Sequence, residues 1–171
     1  GIYVDVTFGG GGHSAAFLSR LGSKGKLFAF DQDEDALANA LPDERFVLIN
    51  ENFRFIKRFL RFYGIKNVDG ILADLGVSSH QFDVPERGFS TRFDAELDMR
   101  MSQKNELNGY RVVNEYDDAN LRRVFFDYGE LKIAPALART IIEAREQKPI
   151  KTTDELKAVL AKYLPEKVRN K

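Results

Sequence analysis

Up to Asp74 the chain alternates short apolar runs with helix-period segments, and no other feature constrains its fold as tightly. Ile2-Tyr3-Val4-Asp5-Val6 runs into Gly9-Gly10-Gly11-Gly12-His13-Ser14, and Lys26-Leu27-Phe28-Ala29-Phe30 ends at Asp31. Phe46-Val47-Leu48-Ile49 leads to Asn52-Phe53, and Gly70-Ile71-Leu72-Ala73 ends at Asp74. Between these runs, residues 14–21 carry Ala15, Phe17, Leu18 and Leu21 at helical spacing, with Gly22 as the expected left-handed stop. A short helix is expected over 34–41, before Pro42. Residues 54–63 align Phe55, Ile56, Phe59, Leu60 and Tyr63 on one stripe before Gly64. Strand–helix repeats of this length require a parallel sheet with right-handed crossovers, which is half of a doubly wound α/β fold. In such a sheet ligands bind outside the carboxyl ends of the strands, so the four strand ends share one ligand-bearing rim.

The alternation stops after Asp74. Residues 75–105 read as a long connection with turn chemistry at Val84-Pro85-Glu86-Arg87-Gly88, and connections this long are usually functional or disordered. Three helices are expected beyond it. The first spans 119–128, capped by Asp117 or Asp118, and the second spans 133–147, stopping before Pro149. The third spans 154–164 behind the capping box Thr152-Thr153-Asp154-Glu155. The expected division is a sheet domain over 1–105 and an incomplete helical domain over 106–171, inserted after strand four or appended to it.

Composition removes several classes. There is no cysteine, which excludes a thiolate metal centre or thiol nucleophile in this stretch and fits a reducing compartment. His13 and His80 lack convergent partners at metal spacing, so no metal is expected. Lys and Arg number 26 and Asp and Glu 26, so any nucleic-acid contact must come from local basic patches. No apolar run approaches the roughly 18 residues of a membrane span, and no signal peptide is visible, so the chain is expected in the cytoplasm. Gly1 begins almost inside a strand and the chain stops at Lys171 without a terminal element, so a fragment lacking both termini is expected.

Gly10-x-Gly12-x-x-Ala15, with Asp31 about 20 residues on, satisfies the dinucleotide fingerprint but does not separate NAD from S-adenosylmethionine. Both ligands need glycines for close backbone approach and an acid for ribose hydroxyls. Asp5 tilts the choice. A carboxylate inside a strand is costly unless it orders the glycine loop or holds a charged ligand group. S-adenosylmethionine brings an ammonium and a sulfonium, whereas NAD brings a pyrophosphate that an acid repels. Asp74-Leu75-Gly76-Val77-Ser78-Ser79 adds a polar loop where an acceptor would meet a methyl group. The balance favours a methyltransferase. The competing readings are an NAD-dependent Rossmann oxidoreductase and a catalytically inactive RNA-binding module.

Val4-Asp5-Val6-Thr7-Phe8-Gly9-Gly10-Gly11-Gly12-His13-Ser14 and Asp74-Leu75-Gly76-Val77-Ser78-Ser79 are similar to two motifs of one family. Arg87-Gly88-Phe89-Ser90 and Leu97-Asp98-Met99-Arg100-Met101 resemble its most distinctive signature. Tyr128-Gly129-Glu130 and Ile150-Lys151-Thr152-Thr153 resemble its helical insert. Together, over essentially the whole chain, they resemble the bacterial MraW (RsmH) family of small-subunit ribosomal RNA cytosine-N4 methyltransferases.

The resemblance implies a Rossmann-like, S-adenosylmethionine-dependent methyltransferase domain, its first four strands present, interrupted by a helical substrate domain. It implies N4-methylation of one cytidine in the decoding region of 16S ribosomal RNA, with that RNA or the small ribosomal subunit as partner, no membrane, and room for a homodimer. Carried over by position, the cofactor contacts are Gly11, Gly12, His13, Asp31, Phe53, Asp74 and Gln81.

The exocyclic amine of cytosine is a poor nucleophile, so alignment and acceptance of its N–H bonds must supply the catalysis. Asp74 is the candidate acceptor, assisted by Ser78 or by loop carbonyls; the alternative is that Asp74 fastens its own loop. Asp98 and Arg100 are candidates for substrate contact, and Arg87 and Arg92 for phosphate or base contact. Arg122, Arg123, Lys132 and Arg139 extend this track over the helical module. Arg54, Lys57, Arg58 and Arg61 fall at i, i+3, i+4 and i+7, giving one helix a basic face whose default reading is a solvated surface.

Overall fold

The computed structural model describes residues 1–163. The chain divides into two compact units, Gly1–Ser78 with Met101–Lys104, and the remainder. In the first unit, β1 (Ile2–Asp5), β2 (Lys26–Phe30), β3 (Phe46–Ile49) and β4 (Gly70–Leu72) form a parallel sheet in the order β3-β2-β1-β4. Val4 pairs with Phe28 on one side and Ile71 on the other, and Phe28 pairs in turn with Val47. The inner strands are the most buried, and beyond the exposed Lys26 β2 reads Leu-Phe-Ala-Phe, buried throughout because both its faces are covered. The edge strand β4 leaves Ile71 60% exposed.

Helix α1 (Gly12–Arg20) follows β1, and its end corrects one expectation. Gly22 does not adopt the left-handed conformation. The helix stops at Arg20, Leu21 turns extended, and the guanidinium of Arg45 donates to the carbonyls of Leu18 and Leu21. A cation brought from the next connection thus satisfies the last carbonyls of α1, and no glycine is needed. Residues expected as a helix over 34–41 form a 3₁₀ segment, Glu34–Asn39, capped by Asp33. The stretch 54–63 splits into a 3₁₀ turn, Phe53–Phe55, and α2 (Ile56–Phe62). Asn52 caps the turn and Gly64, at φ 74°, closes the helix as expected. Ile56, Phe59 and Leu60 pack against Val4, Val6, Phe28, Phe30 and Ile49 of the sheet.

In the second unit the long connection holds more structure than its sequence shows. It contains α3 (Ser79–Asp83) and a 3₁₀ turn at Pro85–Arg87. Helix α4 (Gly109–Glu115), capped by Asn108, has no counterpart in the sequence reading; its seven residues are too few for a clear period. The first expected helix is α5 (Asp118–Arg123), capped by Asp117, and continues as a π turn over Val124–Tyr128. Helix α6 (Ala134–Gln147) buries Ala134, Leu137, Ala138 and Ile141, at i, i+3, i+4 and i+7. In α7 (Thr153–Val159), Thr152 accepts the amide of Glu155 at 3.3 Å, as the anticipated capping box requires. Leu164, the last residue of the third expected helix, lies outside the described residues. Leu97, Val113, Leu121, Ala138, Ile141 and Ile150 form this unit's core. No helix among the described residues is long and apolar enough to cross a membrane.

Candidate functional site

Asp5, at the end of β1, is 2% exposed, and its position explains how the glycine loop is held. One carboxylate oxygen accepts the Ser14 hydroxyl at 2.8 Å and the other the Thr7 amide at 3.0 Å. A buried carboxylate without donors would be strongly destabilising; here α1 and the loop supply them. Of the two roles offered for Asp5, its bonds are those of loop ordering. The Thr7 hydroxyl in turn accepts the amide of Asp74 at 2.8 Å, which joins the loop after β1 to the loop after β4.

The second carboxylate on the rim works differently. Asp31, at the end of β2, accepts the Gly9 amide at 2.7 Å on one oxygen and the Asp33 amide at 2.9 Å on the other. A carboxylate offers about four acceptor sites, so two remain for a ligand. Gly9 and Gly11 take φ values of 53° and 78°, a region costly for other residues. A Cβ added at Gly9, Gly10 or Gly12 would meet nothing within 4 Å, so the loop faces open space, while Gly11 packs on the Phe8 ring. The Asn39 amide steadies the loop from outside by donating to the Gly9 carbonyl at 3.1 Å.

The third strand end is also braced. Asn50 donates to the carbonyls of Asp31 and Asp33 at 3.0 and 3.2 Å, and Asn52 donates to Gln32 at 2.8 Å. Phe53 follows, 41% exposed. The returning segment Met101–Lys104 meets the same rim: Gln32 donates to the Met101 sulfur at 3.6 Å, and the Lys104 ammonium lies 3.2 Å from Glu34. Sequence reasoning missed Thr7, Asn39 and Asn50. Thr7 carried a local signal, because a donor two residues after an Asp closes the usual Asx turn. Asn39 and Asn50 act across 30 and 19 residues of chain, and no local pattern announces that.

Gly11, Gly12, His13, Asp31, Phe53 and Asp74 therefore all lie on strand ends or on the turns that leave them, within the first unit. His13 is exposed near the start of α1. It also lines a groove of about 430 Å3 with Tyr3, Ala16, Phe17, Arg20, Leu21 and Leu72. Asp74 is exposed, its backbone fixed by Thr7, and Ser78 ends the loop that follows it.

The other candidates belong to the second unit. Gln81 is buried on α3. Arg87 is 7% exposed and donates to the Arg100 carbonyl at 2.9 Å, while its own carbonyl accepts the Met99 amide at 3.0 Å. Met99 takes a φ of 59°, unusual for a non-glycine residue. Asp98 and Arg100 on either side of it form an ion pair at 2.8 Å. The hydrogen bond from Arg100 holds the Asp98 carboxyl below the usual range. In these contacts Arg87, Asp98 and Arg100 fasten one loop. Arg92 is more open: it pairs with Asp83 at 2.8 Å, stacks on Phe93 and lines a cavity of about 500 Å3 with Phe82, Phe89 and Ser90. Of the basic track, Arg122 and Arg123 sit in pairs with Asp118 and Asp127 at 2.7 and 3.5 Å. No group of three or more His, Asp or Glu side chains among the described residues could hold a metal ion.

A parallel sheet whose glycine loop and carboxylates share one rim is the α/β, Rossmann-like architecture of S-adenosylmethionine-dependent methyltransferases. A profile described as the MraW methylase family matches residues 1–171, and the chain belongs to that family. It is 86% identical over 171 residues to the ribosomal RNA small subunit methyltransferase H of Flavobacterium johnsoniae, covering the whole chain and 57% of that protein. The protein of the same name from Christiangramia forsetii is 61% identical over 171 residues, again across 57% of its length. That of Bacteroides thetaiotaomicron is 51% identical over 160 residues, which is 94% of this chain and 53% of the relative. The chain thus spans little more than half the length of these relatives.

Proposed function

We propose that this chain comes from an S-adenosylmethionine-dependent methyltransferase of small-subunit ribosomal RNA that methylates N4 of a cytidine in the decoding region. Family membership supports the reaction class, and the names of the relatives support the RNA. One observation carries the cofactor site: the glycine loop is pinned from beneath by Asp5 and Ser14, yet opens into free space beside Asp31. Residues present on the rim fit the cofactor. Asp31 keeps acceptor capacity for ribose hydroxyls, the exposed Phe53 ring offers a face for adenine, and Gly11, Gly12 and His13 line the approach.

S-adenosylmethionine supplies an electrophilic methyl group on a sulfonium. The protein's part is then positioning and proton handling. Asp74, on a backbone held by Thr7, accepts an N–H of the exocyclic amine as that nitrogen becomes tetrahedral, with Ser78 assisting. Alignment of this kind lowers barriers by several kcal/mol, up to roughly 7–11 in ideal cases. Arg92, exposed beside an aromatic-lined cavity, is the strongest of the proposed RNA contacts. Arg87, Asp98 and Arg100 contribute by shaping the loop of the helical, substrate-recognising part. A cytoplasmic location and a homodimer belong to the same reading.

Calorimetric titration of the chain with S-adenosylmethionine, and separately with NAD, tests the proposal. Binding of the methyl donor alone, lost in a folded Asp31→Ala variant, is the expected result. Nucleoside digestion of small-subunit RNA after incubation would then contain N4-methylcytidine. Preference for NAD would restore the oxidoreductase reading, and RNA binding without methyl-donor binding the inactive-module reading.

A further inference from the structure

Between Asn52 and Val68 the chain carries Arg54, Lys57, Arg58, Arg61 and Lys66 and not one acidic residue, although the whole chain balances 26 cations against 26 anions. All five are exposed. Their contrast with the helices of the second unit is sharp. There Arg111, Arg122 and Arg123 each pair with an acid on the same helix or its continuation, at 2.9, 2.7 and 3.5 Å. Among the described residues, none of the five cations around α2 forms an ion pair with a carboxylate; Arg54 instead stacks on the Phe55 ring at 4.5 Å. Lys57, Arg58 and Arg61 share one face of α2, running about 6 Å along the helix at ~1.5 Å per residue, and Arg54 precedes them in the 3₁₀ turn Phe53–Phe55. This row of cations starts at Arg54, one residue beyond Phe53 on the proposed cofactor rim.

At the far end stands Phe62, 80% exposed, the largest exposure among the described large hydrophobic residues. Phe62 is not loose. It meets Tyr63 edge-on at 5.3 Å, and Tyr63 packs on Phe28 of the sheet at 5.2 Å. A supported aromatic face beside guanidinium groups, with a row of uncompensated cations leading to it, matches single-stranded nucleic acid. Phosphates track the cations while an unpaired base stacks on the ring. An anionic membrane fits less well, because surface helices bind lipid through an apolar face. That face of α2 (Ile56, Phe59, Leu60) is already spent on the sheet.

We propose that the α2 face is a second docking surface for single-stranded RNA, holding the strand that flanks the methylated nucleotide. The partner class rests on the proposed RNA-methylating function, while the charge pattern and the exposed ring stand independently of it.

The test measures anisotropy of a labelled single-stranded RNA oligonucleotide with the chain over a range of salt. Arg58→Glu/Arg61→Glu is expected to weaken binding roughly tenfold and to lower the salt slope by about 0.7 for each phosphate no longer neutralised. Phe62→Ala is expected to weaken single-strand binding roughly tenfold by loss of stacking, leaving the slope and duplex binding unchanged. Lys24→Glu/Lys26→Glu supplies the same change in net charge elsewhere on the surface and is expected to stay within about threefold of wild type. Circular dichroism establishes that each variant is folded. Wild-type affinity and slope in the folded Arg58/Arg61 variant would overturn the proposal. So would an equal loss in the charge-matched control, or binding of phosphatidylserine vesicles in place of RNA. Titration with the methyl donor is read separately, so failure of the cofactor site and failure of this surface are distinguishable.

Discussion

The rim of the sheet and the loops of the helical unit are built from the same polar residue types, with opposite results. Asp5, Thr7, Asp31 and Asn50 find their partners on α1 and on the loops that follow other strands, and the arrangement leaves acceptor capacity on Asp31 and free space over the glycines. In the helical unit Asn114 donates to the carbonyls of Tyr110 and Ile150 and accepts the Ile150 amide at 2.9 Å. Arg145 donates to the carbonyls of Val113 and Tyr116, both at 2.7 Å. These bonds stitch helices to loops and leave little over for a ligand. Long-range polar bonding therefore does not identify a site; unspent bonding capacity beside open space does.

Asp5→Ala puts the largest load on this contrast. It leaves the Ser14 hydroxyl and the Thr7 amide without their acceptor in a buried place, so a loss of about 2–4 kcal/mol is expected in urea unfolding. Binding of the methyl donor should fail with it, because the glycine loop loses its fastening. Retained binding would show that the loop holds itself.

Asn114→Ala is the matching change in the helical unit. It strands the Ile150 amide and carbonyl at a cost of about 1–3 kcal/mol, yet calorimetry is expected to give wild-type methyl-donor affinity. Lost affinity in the folded variant would erase the distinction between the two kinds of polar bonding.

Acid sharpens the comparison further. The Arg45 hydrogen bonds lower the Asp43 carboxyl to about 2 in the sheet unit. The Lys148 ammonium and the Lys151 amide lower Glu155 to about 2 in the helical unit. Each folded value lies below the unfolded one, so the stabilisation is present above the ordinary carboxylate pKa and disappears as pH falls toward 2. Glu155→Gln should flatten the acid dependence of amide-exchange protection in the helical unit and leave that of the sheet unit intact. Parallel flattening in both would mean that the two carboxylates do not act separately.

The smallest effect is expected at Glu130, an exposed residue at φ 52°. Glu130→Gly relieves roughly 1–2 kcal/mol of left-handed strain but adds roughly 0.5–1 kcal/mol of backbone entropy to be lost on folding. A net gain of about 0.5 kcal/mol should register as a small rise in the unfolding midpoint. A loss would mean that the Glu130 side chain contributes more than its backbone costs.

Local chemistry determined a good deal. The alternation of apolar runs with helix-period segments specified four parallel strands, and the polar strand ends marked the rim on which Gly11, Gly12, Asp31 and Asp74 lie. Caps at Asp117 and Thr152 were legible, because a capping side chain acts within three residues of its own position. Tertiary structure decided what that range cannot reach. Arg45, rather than Gly22, finishes α1, because the cation arrives from 24 residues away. Arg87 is drawn inside to hold the Arg100 carbonyl, though its residue type favours solvent. Asp5 became a loop fastener only when α1 brought Ser14 to it. A backbone's preference for helix or strand is set by neighbouring residues, so it can be read from sequence. Whether a buried polar group is satisfied, spent or free depends on segments that meet only in the folded chain.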